Sequence, residues 1–192
     1  LADHVLSKWQ ESGKLNRPSF LAKTVVTTNL LTDIAHDYGV DVKETLTGFK
    51  FIAEAIRQEE GKSQYVVGGE ESYGYLVGDE VRDKDAVQSC CLLAELAHDL
   101  HVRGEGMLDR LADLHRRHGA YKEGLMSVVK EGREGRAQIE AMMLKFRSAP
   151  PMELAGERVI EILDFQSREA RSPEGAMLRE LSQASSNVMQ FV

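Results

Sequence analysis

Three short apolar runs, Phe20 to Val26, Val40 to Leu46 and Gln64 to Val67, are separated by two stretches whose apolar residues recur at a helical period. Alternation of that kind is the pattern of strands crossing over through helices into one sheet. The first intervening stretch carries Leu30, Leu31, Ile34 and Ala35 on one face. Thr28 or Asn29 is placed to cap it, and Gly39 ends it as the glycine after the last turn. The second carries Phe51, Ile52, Ala55 and Ile56, with Thr47 placed as its cap and Gly61 near its end. Tyr75 to Val77 reads as an antiparallel strand after the third run, and Asp85 to His101 as a helix apolar on several faces, hence buried on the sheet. The expected fold is α/β, a three-layer domain with a small mixed sheet flanked by helices.

Further along, Met107, Leu108, Leu111 and Leu114 give another helix, and Tyr121 to Val129 reads as a strand. A helix follows from Gly135 or Arg136 to Phe146, with Ile139, Met142, Met143 and Phe146 expected in a core. A last strand is expected near Arg158 to Phe165, and the polar stretch 167–184 reads as a loop or insertion. The expected domains are a tail of a preceding element over residues 1–19, a core over 20–103, its helical and strand continuation over 104–166, and a linker with the start of a further domain over 167–192. Leu1 is not an initiator methionine, so the chain reads as a piece that starts inside a longer protein.

Between the third run and the antiparallel strand lies Gly68-Gly69-Glu70-Glu71-Ser72-Tyr73-Gly74-Tyr75. Glycines permit positive φ and close approach of a ligand to the backbone, and carboxylates beside a hydroxyl can grip neighbouring hydroxyl groups. The same composition also fits an exposed hairpin turn. Adjacent residues in extended chain point to opposite sides. Glu70 and Ser72 therefore share one side, and Glu71 is turned toward backbone donors or a basic neighbour. Thr47-Gly48-Phe49 offers either free amides at a helix start or an ordinary cap, and Phe49 either a binding surface or core. Lys23 sits in an apolar strand start, where an ammonium must reach solvent or an anion. Lys84, between Asp83 and Asp85, is either part of a solvated capping cluster or a substrate contact.

The ordered set KTVVTT, TLTGFKFI, GGEESYGY and VRDKDA resembles the third domain of the alpha-D-phosphohexomutases, the phosphoglucomutase and phosphomannomutase family. It covers residues 20–100 strongly and 101–165 more loosely. The resemblance implies that Glu70 and Ser72 contact the O3 and O4 hydroxyls of a sugar. It also implies that Gly48 and Phe49, with Thr47, belong to a loop lying over the sugar, that Lys23 lies near the reacting oxygen or phosphate, and that Lys84 helps to hold substrate. Lys23 and Lys84 are thus candidates to assist the chemistry, and neither is marked as a general base. The Tyr73-Gly74-Tyr75 ending is that of the glucomutase side, while glucose and mannose both remain open as substrates.

A phosphohexomutase, as resembled, moves a phosphoryl group between O1 and O6 of a hexose phosphate through a phosphoserine. Its phosphoserine loop of the TASHNP kind, its DGDADR-like magnesium loop and its Arg-Ser-Gly-Thr phosphate cradle do not occur in these 192 residues. The expectation is a chain that orients the sugar, is inactive alone, partners the remaining domains of the same polypeptide, and leaves Mg2+ to a domain outside it. Noncatalytic carbohydrate or nucleotide binding by an α/β module is the alternative, and a helical interaction domain a third.

A net charge of -7 argues against a nucleic-acid partner, and no apolar run reaches the eighteen or so residues that a membrane helix needs. The scattered His36, His98, His101, His115 and His118 lack ligand spacing, so no metal is assigned to this chain. Cys90 and Cys91 read as reduced core residues of a cytoplasmic protein.

Overall fold

A computed structural model of the chain describes residues 1–72 and 74–192. Tyr73, one of the residues that points to the glucomutase side, lies outside the described residues. The chain forms two compact units, Leu1–Glu123 and Gly124–Val192.

The first unit is built on β1 (Ser19–Thr24), whose six residues are all buried. A strand covered on both faces needs an apolar run rather than alternation, and Phe20, Leu21 and Ala22 supply it. β2 (Asp41–Thr45) and β3 (Gln64–Glu70) pair with its two edges in parallel, and β4 (Gly74–Val77) pairs antiparallel with β3, giving the order β2-β1-β3-β4. Helix α2 (Leu30–Asp37) links β1 to β2, and α3 (Phe49–Gln58) links β2 to β3. Leu30, Ile34 and Ala35 of α2 pack with Val5 and Leu6 of α1 (Ala2–Glu11) against Leu21, Val66 and Val67. Phe49, Ile52 and Ile56 of α3 pack with Phe20, Ala22, Tyr65 and Leu76. The result is the expected α/β three-layer arrangement with a mixed sheet. Because β2 and β3 lie on opposite sides of β1, the winding reverses between β1 and β3.

Helix termini follow the sequence with one exchange. Gly39 has φ +65 after α2, and Thr28 Oγ1 accepts from the Leu30 N–H at 3.2 Å. At α3 the cap position is Gly48, not Thr47, because the chain turns there with φ +121, which a threonine rarely adopts.

The largest correction concerns α4 (Ala86–Val102), which is not buried. Only Ser89, Leu96 and Leu100 are covered, Val87 is 76% exposed, and Cys90 and Cys91 are exposed free thiols rather than core residues. Apolarity on several faces does not say which face finds a partner. The helix is instead fixed by polar contacts: Gln88 donates to the Val77 carbonyl at 2.8 Å and accepts the Val77 N–H at 2.9 Å, occupying the outer edge of β4. Lys8 pairs with Asp99 at 2.7 Å, and His4 meets Glu95 at 3.0 Å, tying α1 to α4. Helix α5 (Met107–His118) is tied to α1 through Asp3, whose carboxylate accepts from Arg110 and, at 3.2 Å, from Arg117.

Residues 119–131 form no regular element, so the strand expected over Tyr121 to Val129 is absent. With Leu125 92% and Met126 88% exposed, nothing flanks that run as a ladder partner. The second unit opens with α6 (Gly132–Ser148), whose Met142 and Phe146 are exposed rather than core. It continues with the two-stranded β5 (Glu153–Leu154) and β6 (Glu157–Arg158), then β7 (Ile162–Asp164), β8 (Glu169–Arg171), β9 (Met177–Glu180) and β10 (Met189–Phe191). The last four make an antiparallel sheet in the order β10-β7-β8-β9. The single strand expected over 158–165 is thus interrupted, and the polar 167–184 stretch is largely a hairpin rather than a loop. Strands with one solvent face carry too many polar residues to stand out as apolar runs.

Gly68 and Gly69 lie inside β3 without positive φ. What they supply is room: a Cβ on Gly68 would stand 2.3 Å from the Ala22 carbonyl oxygen and 2.8 Å from the Tyr65 hydroxyl. Gly68→Ala is expected to destabilise the chain by about 1–3 kcal/mol in urea unfolding. At Gly124, a Cβ would meet nothing within 4 Å, and Gly124→Ala is expected to stay within about 0.5 kcal/mol of the parent.

The Asp3 cluster predicts an acid response. Burial works to raise the Asp3 carboxyl above its usual 3.8, but Arg110 and Arg117 together outweigh it and hold the carboxyl lower. A group depressed in the folded state adds stability above its unfolded value and loses it as pH falls through the folded one. Unfolding followed from about pH 5 downward is therefore expected to show a stability loss that is shallower in Asp3→Asn.

Candidate functional site

In a sheet wound both ways from one strand, ligands gather in the crevice beyond the carboxyl ends of the strands where the winding reverses. Here that place is the end of β1, at Thr24, and the end of β3, at Glu70. The two adjacent carboxylates stand there and diverge, as extended chain requires.

Glu70 is only 5% exposed, and its Oε1 accepts the Gly48 N–H at 2.5 Å. That amide is at the start of α3, where N–H groups have no partner within the helix and the helix dipole favours a negative charge. The carboxylate does from β3 what the Thr47 hydroxyl was expected to do from the loop. Gly74, paired with Glu70 across the β3–β4 ladder, carries no side chain that would crowd it. A Cβ on Gly74 would be 3.1 Å from Glu70 Oε2, 3.1 Å from Lys84 Cδ and 3.6 Å from the Phe49 ring. Lys84 Nζ lies 5.3 Å from the centroid of that ring and 3.4 Å from Asp83 Oδ1. The Lys84 N–H donates to the Asp83 carboxylate and lowers its pKa. Gly48, Phe49, Glu70 and Lys84 are therefore one group, with Phe49 buried as a floor and Lys84 exposed above it.

Thr47 and Ser72 are exposed, Thr47 just before Gly48 and Ser72 in the turn after β3. Lys23 stands apart. It is 1% exposed, and its ammonium donates to Glu44 Oε1 at 2.6 Å, Asn29 Oδ1 at 3.0 Å and the Thr27 carbonyl at 3.2 Å. The anion that a buried lysine requires is thus Glu44, on the neighbouring strand in register with it.

Among the described residues, the partners of Glu71 are hydroxyls rather than backbone donors or a basic neighbour. Its Oε2 takes the Thr24 hydroxyl at 2.9 Å and the Thr27 hydroxyl at 3.1 Å, and these two hydroxyls are 2.8 Å apart. Thr24 and Thr27 were not singled out as site residues. Their signal was the hydroxyl pair three residues apart that starts at the last residue of a buried strand and can close on itself in a turn. Among the described residues, no group of three His, Cys, Asp or Glu side chains is arranged to hold a metal ion.

Comparison with known proteins agrees with the fold of the first unit. The family model described as phosphoglucomutase/phosphomannomutase, alpha/beta/alpha domain III, matches residues 2–118, almost the whole first unit. A phosphoglucomutase of Staphylococcus aureus (strain bovine RF122 / ET3-1) is 36% identical over 183 residues, which is 95% of this chain and 33% of the relative. One of Staphylococcus haemolyticus (strain JCSC1435) is 37% identical over 174 residues, 91% of this chain and 32% of the relative. The chain spans about a third of the length of these relatives. On the match of its first unit, the chain belongs to the phosphoglucomutase/phosphomannomutase family and carries that family's α/β/α domain III.

Proposed function

We propose that this chain is the sugar-orienting part of a cytoplasmic enzyme that interconverts hexose 1-phosphate and hexose 6-phosphate by phosphoryl transfer through a phosphoserine. The observation that carries the reading is the group of Glu70, Gly48, Phe49 and Lys84 beside the reversal of winding. One carboxylate oxygen is committed to an amide, and the other lies beside Gly74, where the missing side chain leaves it room next to Lys84 and the Phe49 ring.

In this reading Glu70 Oε2 and the Ser72 hydroxyl take adjacent sugar hydroxyls, and Phe49 and the Thr47-Gly48 backbone cover the ring. Lys84 supplies a positive charge at the exposed side. With its donors spent on Glu44, Asn29 and the β1 turn, Lys23 supports the end of β1 rather than touching the sugar in this arrangement. Such contacts contribute orientation, which converts a loosely held substrate into one placed for in-line attack.

Magnesium in such enzymes neutralises charge developing on the transferred phosphoryl group. Among the described residues no donor set fits it, so no step through the metal is assigned to them. Nucleophile and metal would come from the rest of the polypeptide, and the chain alone would bind hexose phosphate without turning it over.

The test is Glu70→Gln in the full-length protein. The charge-assisted hydrogen bonds lost are worth about 1.5–3 kcal/mol, so kcat/KM for the hexose phosphate is expected to fall by about ten- to a hundredfold. An unchanged kcat/KM would remove Glu70 from the sugar site. A parent protein with no hexose-phosphate isomerising activity would overturn the reading as a whole.

A further inference from the structure

Glu71 is set between the two residues assigned to the sugar, yet its own carboxylate leaves them. It crosses to the β1–α2 turn, where Oε2 accepts from Thr24 at 2.9 Å and Thr27 at 3.1 Å. Thr24 is fully buried at the end of β1, and it is the fixed end of this contact. Thr27 is half-buried, in a turn closed by its own N–H donating to the Thr24 carbonyl at 3.1 Å. The same Thr27 lends its carbonyl to Lys23. Three groups therefore meet across the reversal of winding: the end of β3, the turn after β1, and the buried Lys23–Glu44 pair.

We propose that Glu71 is a positioning residue, which by accepting the Thr24 and Thr27 hydroxyls pins the middle of Glu70-Glu71-Ser72 to the end of β1 and so presets the spacing of the two sugar contacts. The proposal rests on the sugar-orienting reading of the site.

The physical reason is entropic. Glu71 and Ser72 are exposed in the turn between β3 and β4, and an untethered turn would have to be ordered by substrate, at the expense of affinity. Glu70 is held separately through Gly48. Ser72 is the contact that depends on the tie, one residue beyond it. Glu71 uses one acceptor on a buried hydroxyl, Thr24, and on a half-buried one at the mouth of the crevice, Thr27.

The test uses Glu71→Gln, Thr27→Val, their double variant and Thr27→Ser, all in the full-length protein. Thr27 is chosen because Thr24 is fully buried and its replacement would disturb the core. Amide exchange over residues 25–29 is expected to quicken by about three- to tenfold in each of the first two. KM for hexose phosphate is expected to rise by a similar factor, with kcat changed less. The double variant is expected to be no worse than the worse single one, and Thr27→Ser, which keeps the hydroxyl, to behave as wild type. Unchanged exchange in both single variants, losses that multiply in the double, or an unchanged KM in an active enzyme would each overturn the proposal. A wild-type protein without mutase activity would overturn the functional reading instead, and the exchange measurements would then decide the tie by themselves.

Discussion

The acceptance of the Gly48 N–H by Glu70 is the contact on which the candidate site depends. It joins the last residue of β3 to the first turn of α3, and so fixes the loop of Thr47 and Gly48 relative to the β3–β4 turn. The contact needs three conditions at once. Gly48 must take a left-handed φ that exposes its amide, β3 must extend as far as Glu70, and Gly74 must leave the carboxylate uncrowded. A buried carboxylate without such a donor would cost free energy, whereas here the helix start supplies both the hydrogen bond and the favourable field.

β1 provides the frame for that contact. As the central parallel strand it places Phe20 and Ala22 toward α3 and Leu21 toward α1 and α2, so both layers share one set of backbone positions. Gly68 allows β3 to approach the Ala22 carbonyl closely. The close approach brings the carboxyl ends of β1 and β3 together, and the divergence of Glu70 and Glu71 then serves two loops from one dipeptide.

Much of this was legible in the sequence because strands buried on both faces write themselves as apolar runs. β1 and β3 were visible in that way. The half-exposed β2 and β4 and the two crossover helices were read from apolar spacing and the glycines between them, and the divergence of adjacent carboxylates from the alternation of extended chain. The features that were not legible depend on partners distant in sequence. Thr47 yields the cap of α3 to Gly48 because a carboxylate 22 residues on reaches the amide. Lys23 finds an anion in Glu44, on the strand beside it. Cys90 and Cys91 are exposed because α4 is held through Gln88, Glu95 and Asp99 instead of a broad apolar seam. The second unit was the least readable, since its strands are short and polar on one face.

The central claim is that Glu70 links the start of α3 to the sugar. A crystal structure of the full-length protein with a hexose phosphate bound tests it most directly. The account predicts that Glu70 keeps the Gly48 N–H on one oxygen and takes neighbouring ring hydroxyls with the other, beside Ser72. A sugar bound elsewhere, with the Glu70 carboxylate out of hydrogen-bonding reach of it, would contradict the account.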